Sequence, residues 1–321
     1  MDRFLLMNCF VRAVETGSFS AVARELRTSQ PSVSRYVAVL EEHLGTRLLH
    51  RSTRKLTLTP EGDRYYSEAR RILDAVSEAE SNARGEDRPK GLLRVACSTS
   101  IGRIHVMPRV QTFLERYPDV EVDVQISDRY VDLIEEGLDL AIRIGPLEDS
   151  SLKARPIGLS ERVCVASTDY LSRHGVPRHP KDLLQHNCIT YSLTPAGTHW
   201  PFRDGDIAVN GRLRVSTPDG IYSAVVAGVG IGYGPLWLFE EALAARQVQF
   251  ILREYIGPPA PINIVYSARR LLQRRATVFM DFMAEEFSRI PAIQKGALER
   301  LTSAKDTLSG RSRVGRSKPK G

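Results

Sequence analysis

A polar cluster opens one stretch of this chain and could read the edge of a base pair. Ser29, Gln30, Ser32, Ser34 and Arg35 surround Pro31 at the start of a run that continues to Leu44. Arginine takes guanine with two hydrogen bonds, and glutamine can take adenine in the same way. Ser29 is suited to cap the run. Pro31 falls in the first turn, where its missing N–H costs little. Val33, Val37, Leu40 and Leu44 form the opposite, apolar stripe. Just upstream, Ser20 is suited to cap a shorter run, Ala21 to Leu26. Two helices and a tight turn make a helix-turn-helix, which offers the start of its second helix to the major groove. The spacing alone also fits an ordinary two-helix corner with a solvated face.

Further along lies a second set of polar residues. Ser98, Thr99, Ser100 and Ile101 follow an expected strand and open a helix, with three hydroxyls and free backbone N–H groups. Arg143, Ile144 and Gly145 end another strand with a cation. Thr217 and Pro218 open a later helix, and a glycine-rich segment that includes Gly232 follows it. Open α/β folds bind ligands outside the carboxyl ends of their strands, often at helix N-termini. Each stretch also has a plainer explanation. A Ser or Thr before a helix is commonly just its cap, and Arg143 could pair with Asp139 or Glu136. Asp219 opposes an anionic ligand, because its carboxylate answers the same helix dipole.

Signatures of catalysis are missing. There is no GxSxG, HExxH or P-loop, and no GxGxxG followed by a suitable acid. The seven histidines show no catalytic spacing, and the four cysteines show no metal-ligand spacing. No enzyme activity, cofactor or metal site is expected.

Over some sixty residues the N-terminal string resembles the DNA-binding segment of the LysR-type transcriptional regulators. The resemblance rests on Phe10, Val14, Gly17-Ser18-Phe19-Ser20, Ala23, Leu26, Ser29 through Arg35, Leu40-Glu41, Leu44-Gly45, Leu48-Leu49, Arg51 and Leu58-Thr59-Pro60-Glu61-Gly62. It continues to about Ile290. It implies a dimerising linker helix and an effector domain of two Rossmann-like lobes joined by two crossing strands. It also implies that the stretches at Ser98–Ile101, Arg143–Gly145, Thr217–Pro218 and Gly232 line the cleft between those lobes.

The elements that must position these residues follow the same plan. The expected fold is α/β with an all-α/winged-helix N-terminal domain, over residues 1–59, and two Rossmann-like α/β lobes in a C-terminal effector-binding domain, over 92–292. Leu56 and Leu58 alternate with threonines as in a strand. A basic turn carrying Arg51, Arg54 and Lys55 makes a wing suited to phosphates or a minor groove. Residues 60–84 read as one long helix. Its thin stripe of Tyr66, Ala69, Leu73 and Val76 cannot hold itself in a core and calls for a second copy. Residues 85–91 are a charged hinge with no apolar side chain.

Beyond the hinge, strands are expected at 92–97, 120–126 and 140–144 in the first lobe. A second set follows at 162–166, 189–191 and 213–216, with a late strand at 262–267. Helices are expected to about Arg116, at 131–136, 219–227 and 236–246, and from Leu271 to Ile290. The crossings between lobes are expected near 162–166 and 262–267.

Net charge is +7, and positive charge gathers at the two ends. Residues 1–59 hold nine Lys/Arg against five Asp/Glu, and residues 293–321 hold eight against two. The rest is slightly acidic. Double-stranded DNA is the partner this distribution suits, and residues 293–321 read as a disordered basic tail. The apolar run 224–239 is short and broken by glycines, so no membrane partner is expected. The sequence also reads as lacking a signal peptide and as keeping its thiols reduced, which together suit the cytoplasm. Expected partners are therefore DNA, a small-molecule effector (a small organic acid fits weakly), further copies in a homodimer or homotetramer, and RNA polymerase as an additional candidate. A solute-binding protein without a regulatory role is the alternative, and it leaves the basic head unexplained.

Overall fold

The computed structural model describes residues 2–51, 56–84, 88–146, 152–193, 195–268 and 272–300. It divides into two compact units. One is Met1–Gly91 with the short segments Ile134–Gly137 and Leu272–Arg275. The other is Leu92–Leu133, Leu138–Leu271 and Ala276–Gly321.

The first unit begins with three helices, α1 (Arg3–Thr16), α2 (Phe19–Glu25) and α3 (Gln30–Leu44). Asp2 caps α1 by accepting from the Phe4 N–H at 3.0 Å. The cap of α2 is Ser18 rather than Ser20. Ser18 is extended, and its hydroxyl accepts from the Ala21 N–H, so the helix starts two residues earlier than expected. Along α3 the stripe buries Val33, Val37 and Leu40, while Leu44, in the last turn, stays exposed. These side chains close on Phe10, Val22, Leu48 and Leu49 in one core. Fully burying a side chain of this size contributes about 1.5–3 kcal/mol. Arg12 stitches α1 to α2 through two hydrogen bonds to Glu25 at 2.8 and 2.9 Å.

Strands β1 (Leu49–Arg51) and β2 (Leu56–Leu58) pair antiparallel, with Leu49 opposite Leu58. The Glu41 carboxylate fixes where β1 begins, accepting from the Leu48 and Leu49 N–H groups at 2.9 and 3.1 Å. Helix α4 (Pro60–Ala83) follows. Thr59 caps it, accepting from the Gly62 N–H at 2.9 Å. Part of the stripe expected to meet a second copy is spent inside the head. Ala69 is fully buried, and the Tyr65 and Tyr66 rings lie 5.7 and 6.5 Å from Phe10. Leu73 packs on the same core, whereas Ile72 is exposed and Val76 half-buried. Of the expected hinge, residues 85–87 lie outside the described residues.

The second unit holds two lobes. The first lobe starts with β3 (Gly91–Cys97) and a helical run: α5 (Thr99–Ile101), a wide π turn (Gly102–Val106) and α6 (Met107–Arg116). Strands β4 (Val120–Ile126), β5 (Leu140–Ile144) and β6 (Leu152–Ser160) follow. The helix expected at 131–136 is only a turn, closed by the Leu138 N–H on the Leu133 carbonyl. Six residues ending at a glycine are too few to hold a helix once Val131 and Leu133 are drawn into the core. Strand β6 was not expected, because Pro156 and the charged Lys153 and Arg155 break its pattern. It lies at the sheet edge, where a proline is tolerated.

The second lobe contains β7 (Arg162–Ser167), α7 (Thr168–His174), β8 (Thr190–Tyr191), the hairpin β9 (His199–Phe202) and β10 (Gly205–Ala208), and β11 (Arg214–Val215). Then come α8 (Pro218–Val226), β12 (Gly232–Pro235), α9 (Leu236–Ala244) and β13 (Val248–Ile251). The chain returns to the first lobe through β14 (Ala260–Ser267) and α10 (Arg274–Ser288). The first sheet has the order β4-β3-β5-β14-β6, parallel at β3/β5 and antiparallel around β14. The second has β12-β7-β13, with β11-β8 alongside and a bridge from Cys188 to Ile231. The crossings therefore fall at Glu161 and at residues 252–259. The stretches 162–166 and 262–267, expected to cross, lie within the sheets because they pair along their whole length.

Packed structure also continues past residue 292. Ile293 and Ala297 are buried, and the Glu161 carboxylate accepts from the Gly296 and Leu298 N–H groups. The expected basic tail from 301 onward lies outside the described residues. Among the described residues, no helix is long and apolar enough to cross a membrane. All four cysteines are free and buried. Burial pushes the Cys97 and Cys188 thiols up to about 12 and raises Cys9 and Cys164 as well. None is thus a thiolate nucleophile at neutral pH.

A side chain at position 62 has no room. A Cβ there would lie 2.0 Å from the Leu48 carbonyl oxygen, and neither backbone can swing aside as a flexible side chain does. Gly62→Ala is expected to cost about 1–3 kcal/mol, read as a lower midpoint of urea unfolding of the full chain. An unchanged midpoint would contradict the close approach.

Candidate functional site

The head presents the start of α3 to solvent. Gln30, Pro31 and Arg35 are exposed, and Ser34 is half-buried. Ser29 caps α3, and its hydroxyl lies 2.8 Å from that of Ser32. Those two side chains are thus occupied with each other at the helix end, while Gln30, Ser34 and Arg35 remain to reach outward. Among the described residues Arg35 takes part in no ion pair. Of the expected wing cations, Arg54 and Lys55 lie outside the described residues, and only the backbone of Arg51 is described, at the end of β1.

The sequence reading missed one cation. Arg27 stands in the turn between α2 and α3, exposed, with φ +49. The Thr28 N–H closes that turn on the Ala23 carbonyl at 2.9 Å. Left-handed backbone costs a side chain about 1–2 kcal/mol and favours glycine. An arginine held there keeps a positive charge beside the recognition helix. The signal was the lone arginine between the end of α2 and its successor's cap.

In the body, the polar stretches converge from both lobes at the first turns of the helical run after β3. Thr99 donates both its hydroxyl and its N–H to the Asp128 carboxylate, the N–H at 3.0 Å. Ser100 is fully buried, and its hydroxyl donates to Asp219 of the second lobe at 2.7 Å. Arg103 donates to the other oxygen of Asp219 at 2.5 Å. Arg103 faces outward while His105, two residues on and on the opposite side of the helical run, is buried. The Tyr191 phenol of the second lobe is pushed up to about 12, first by burial and then by the negative charge of Asp128. Thus Ser100, Thr99, Arg103, Asp128, Tyr191 and Asp219 form one polar set spanning both lobes.

The remaining expected residues divide. Ser98 holds the cap position of α5 but makes no side-chain cap bond, and is half-buried. Ile101 is fully buried in the core, so its side chain is not presented to a ligand. Arg143 pairs with neither Asp139 nor Glu136. Its guanidinium lies 4.3 Å over the Tyr130 ring and donates to the Val131 carbonyl. It therefore braces the loop that carries Asp128. Ile144 is half-buried, and the Gly145 N–H is taken by the Pro261 carbonyl. Thr217 caps α8, accepting from the Gly220 N–H at 3.0 Å, and Pro218 occupies its first turn. Gly232 serves packing, since a Cβ there would lie 2.4 Å from a Val225 methyl on α8.

Sequence reasoning overlooked Arg103, Asp128 and Tyr191 and weighed Asp219 only against its own helix. Arg103 lies one turn beyond Ser100 and could have been found. The partners Asp128 and Tyr191 are set by tertiary structure alone. Among the described residues, no group of three or more His, Cys, Asp or Glu is arranged to hold a metal ion.

Beneath this set lies an aromatic junction between the lobes. The His105 ring meets Trp237 of α9 at 5.1 Å and Phe287 of α10 at 6.0 Å, both edge-on. The Trp237 indole donates to Ser160 at 3.0 Å. Burial first, and the charge of Arg109 second, lower the His105 pKa to about 4.

A winged helix-turn-helix joined to a two-lobed α/β body with a polar set between its lobes defines a DNA-binding regulator controlled by a small molecule. Two family models match: the LysR substrate binding domain over residues 86–288, and the bacterial regulatory helix-turn-helix protein, lysR family, over residues 4–63. The chain belongs to the LysR family of transcriptional regulators. It is 34% identical over 297 residues to the uncharacterized HTH-type transcriptional regulator YhjC of Escherichia coli, covering 88% of this chain and 97% of that protein. The solved structure of CrgA, a LysR-type regulator from Neisseria meningitidis, is 33% identical, covers 88% of this chain and 98% of its own, and superposes with a TM-score of 0.59. The full-length structure of AphB, a Vibrio cholerae virulence activator, is 28% identical, covers 89% and 99%, and gives a TM-score of 0.55. Regulators of this family bind DNA and small-molecule effectors and form oligomers; they are not enzymes. A plain solute-binding protein is thereby set aside.

The buried histidine makes stability depend on pH. Unfolded, His105 titrates near its ordinary value of 6.5; folded, it stays neutral down to about 4. Between those values the unfolded chain binds more protons, so stability is complete above 6.5 and falls as pH drops toward 4, by about 3 kcal/mol. Urea unfolding of the full chain at neutral and acid pH should show a smaller acid loss in His105→Phe than in the wild type. Equal losses would contradict the assignment.

Proposed function

We propose that this regulator reads its operator through Gln30, Ser34 and Arg35, with Pro31 and the Ser29–Ser32 cap setting the helix start against the groove. Arg27 and the wing cations Arg51, Arg54 and Lys55 contact phosphates, which fix affinity and register rather than sequence. The observation that carries this reading is the exposed Arg35 at the start of α3, which takes part in no ion pair among the described residues. The active form is a homodimer paired through the outer face of α4, where Ile72 and Val76 remain outside the head's own core; two recognition helices then meet two half-sites. Pairs of such dimers make the tetramer.

The effector is a small organic acid bound among Ser98, Thr99, Ser100 and Arg103 of the first lobe and Tyr191, Thr217 and Pro218 of the second. Arg143 holds the intervening loop. Binding shifts the balance between two arrangements of the lobes and so the geometry of paired heads on DNA. RNA polymerase is the partner through which bound protein alters transcription. The cytoplasm is the compartment that suits a DNA ligand and four buried, reduced thiols.

The test is a salt-dependent gel shift on the DNA immediately upstream of the gene, against random DNA of equal length. A discrete, sequence-selective complex is expected. Arg35→Ala should weaken operator binding by about 1–3 kcal/mol with little change on random DNA, whereas Arg27→Gly should weaken both alike. Equal losses for both variants on both DNAs would overturn the division of roles. Wild-type binding that is weak on both and vanishes with salt would overturn the operator reading itself.

A further inference from the structure

The cross-lobe contact is itself a carboxylate site already filled. Ser100 and Arg103 come from the first lobe, and the group that they hold is the side chain of Asp219 from the second. A planar guanidinium beside a buried hydroxyl donor suits a carboxylate, and Arg103 and Ser100 each bind a different oxygen of Asp219. The fully buried Ser100 hydroxyl has no bulk water to turn to, so whatever occupies the position must accept its hydrogen bond.

Asp219 has a second place to go. It sits in the first turn of α8, behind Thr217 and Pro218, where a carboxylate answers the dipole of its own helix. Its tie to Arg103 is also near the surface, with side chains 62% and 32% exposed, and ion pairs of that exposure contribute little. Both the held and the released states of Asp219 are therefore satisfied, as a displaceable clasp requires.

We propose that Asp219 is a tethered substitute for the acid of the effector, holding the two lobes together in the ligand-free protein, and that an acidic effector acts by taking Ser100 and Arg103 from it. This rests on the effector reading above. It names the ligand class as carboxylates and assigns regulation to a competition between two of them. Thr99 and Asp128 lie beside the contest and do not change hands, because both groups belong to the same lobe.

The test uses the full-length chain without DNA. Cysteines introduced at the exposed positions Glu121 in the first lobe and Arg178 in the second carry spin labels, and the four buried native thiols stay unlabelled. Labelled chains are diluted with unlabelled ones so that only distances within a chain are read. The wild type should give one narrow distance, unaltered by sodium acetate. Asp219→Ala should give a longer, broader distribution and a melting temperature lower by about 2–4 °C. Sodium acetate should recover the melting temperature by satisfying Ser100 and Arg103, without narrowing the distance, because it is not tethered to the second lobe; acetamide and sodium chloride at matched concentration should recover neither. A wild-type distance in Asp219→Ala would overturn the clasp. Equal rescue by acetamide, or no rescue by acetate, would overturn the carboxylate site. Either failure with selective operator binding intact would sink this proposal alone, whereas loss of operator selectivity with the distances as expected would sink the DNA reading instead.

Discussion

The body of this protein depends on a crossing with no slack. Strand β6 ends at Ser160 and β7 begins at Arg162, so Glu161 alone separates the edge strand of one sheet from the central strand of the other. All three of its acceptors are engaged. Its carbonyl takes the Leu236 N–H at 2.7 Å, and its carboxylate takes the Gly296 and Leu298 N–H groups. The first lobe, the second lobe and the C-terminal segment thus share one residue. Any change of angle between the lobes turns about this point, with the residues 252–259 as the looser return. The aromatic junction of His105, Trp237 and Phe287 packs beside it, so the pivot is apolar while the clasp is polar.

A division of labour runs through the charges. Arginines that stitch the head together are paired and their protonated form is strengthened, as Arg12 is between Glu15 and Glu25. Among the described residues, Arg27 and Arg35, which face outward near α3, take part in no ion pair. The same economy appears in the body. Arg143 is spent bracing the Asp128 loop against Tyr130, which leaves Arg103 as the cation offered at the lobe junction.

Local patterns made much of this legible from sequence. The caps at Ser29, Thr59 and Thr217, the proline in the first turn of α3 and the period of Val33, Val37 and Leu40 each state a boundary within a few residues of themselves. What escaped was decided at a distance. Strand β6 hides because an edge strand can carry Pro156 and outward cations. The segment 131–136 reads as a helix but closes as a single turn once Val131 and Leu133 are drawn into the core. The stripe on α4 reads as a dimer seam, yet Phe10, some sixty residues earlier, claims Tyr66 and Ala69 first. At the candidate site, hydroxyls announced themselves by standing before a helix. The acids that bind them come from far along the chain, Asp128 from a loop and Asp219 from the first turn of α8, and gave no local sign.

The contact between Gly62 and the Leu48 carbonyl has a mechanical meaning. It welds the base of α4 to the wing with no side chain between them, so head and helix turn as one piece. At 1.5 Å per residue, the 24 residues of α4 make an arm of about 36 Å. Tilting such an arm by about ten degrees sweeps its end through roughly 6 Å, close to two base-pair steps along DNA. A rotation at one end of α4 too small to disturb its packing is thus amplified at the other into a displacement on the scale of the operator itself.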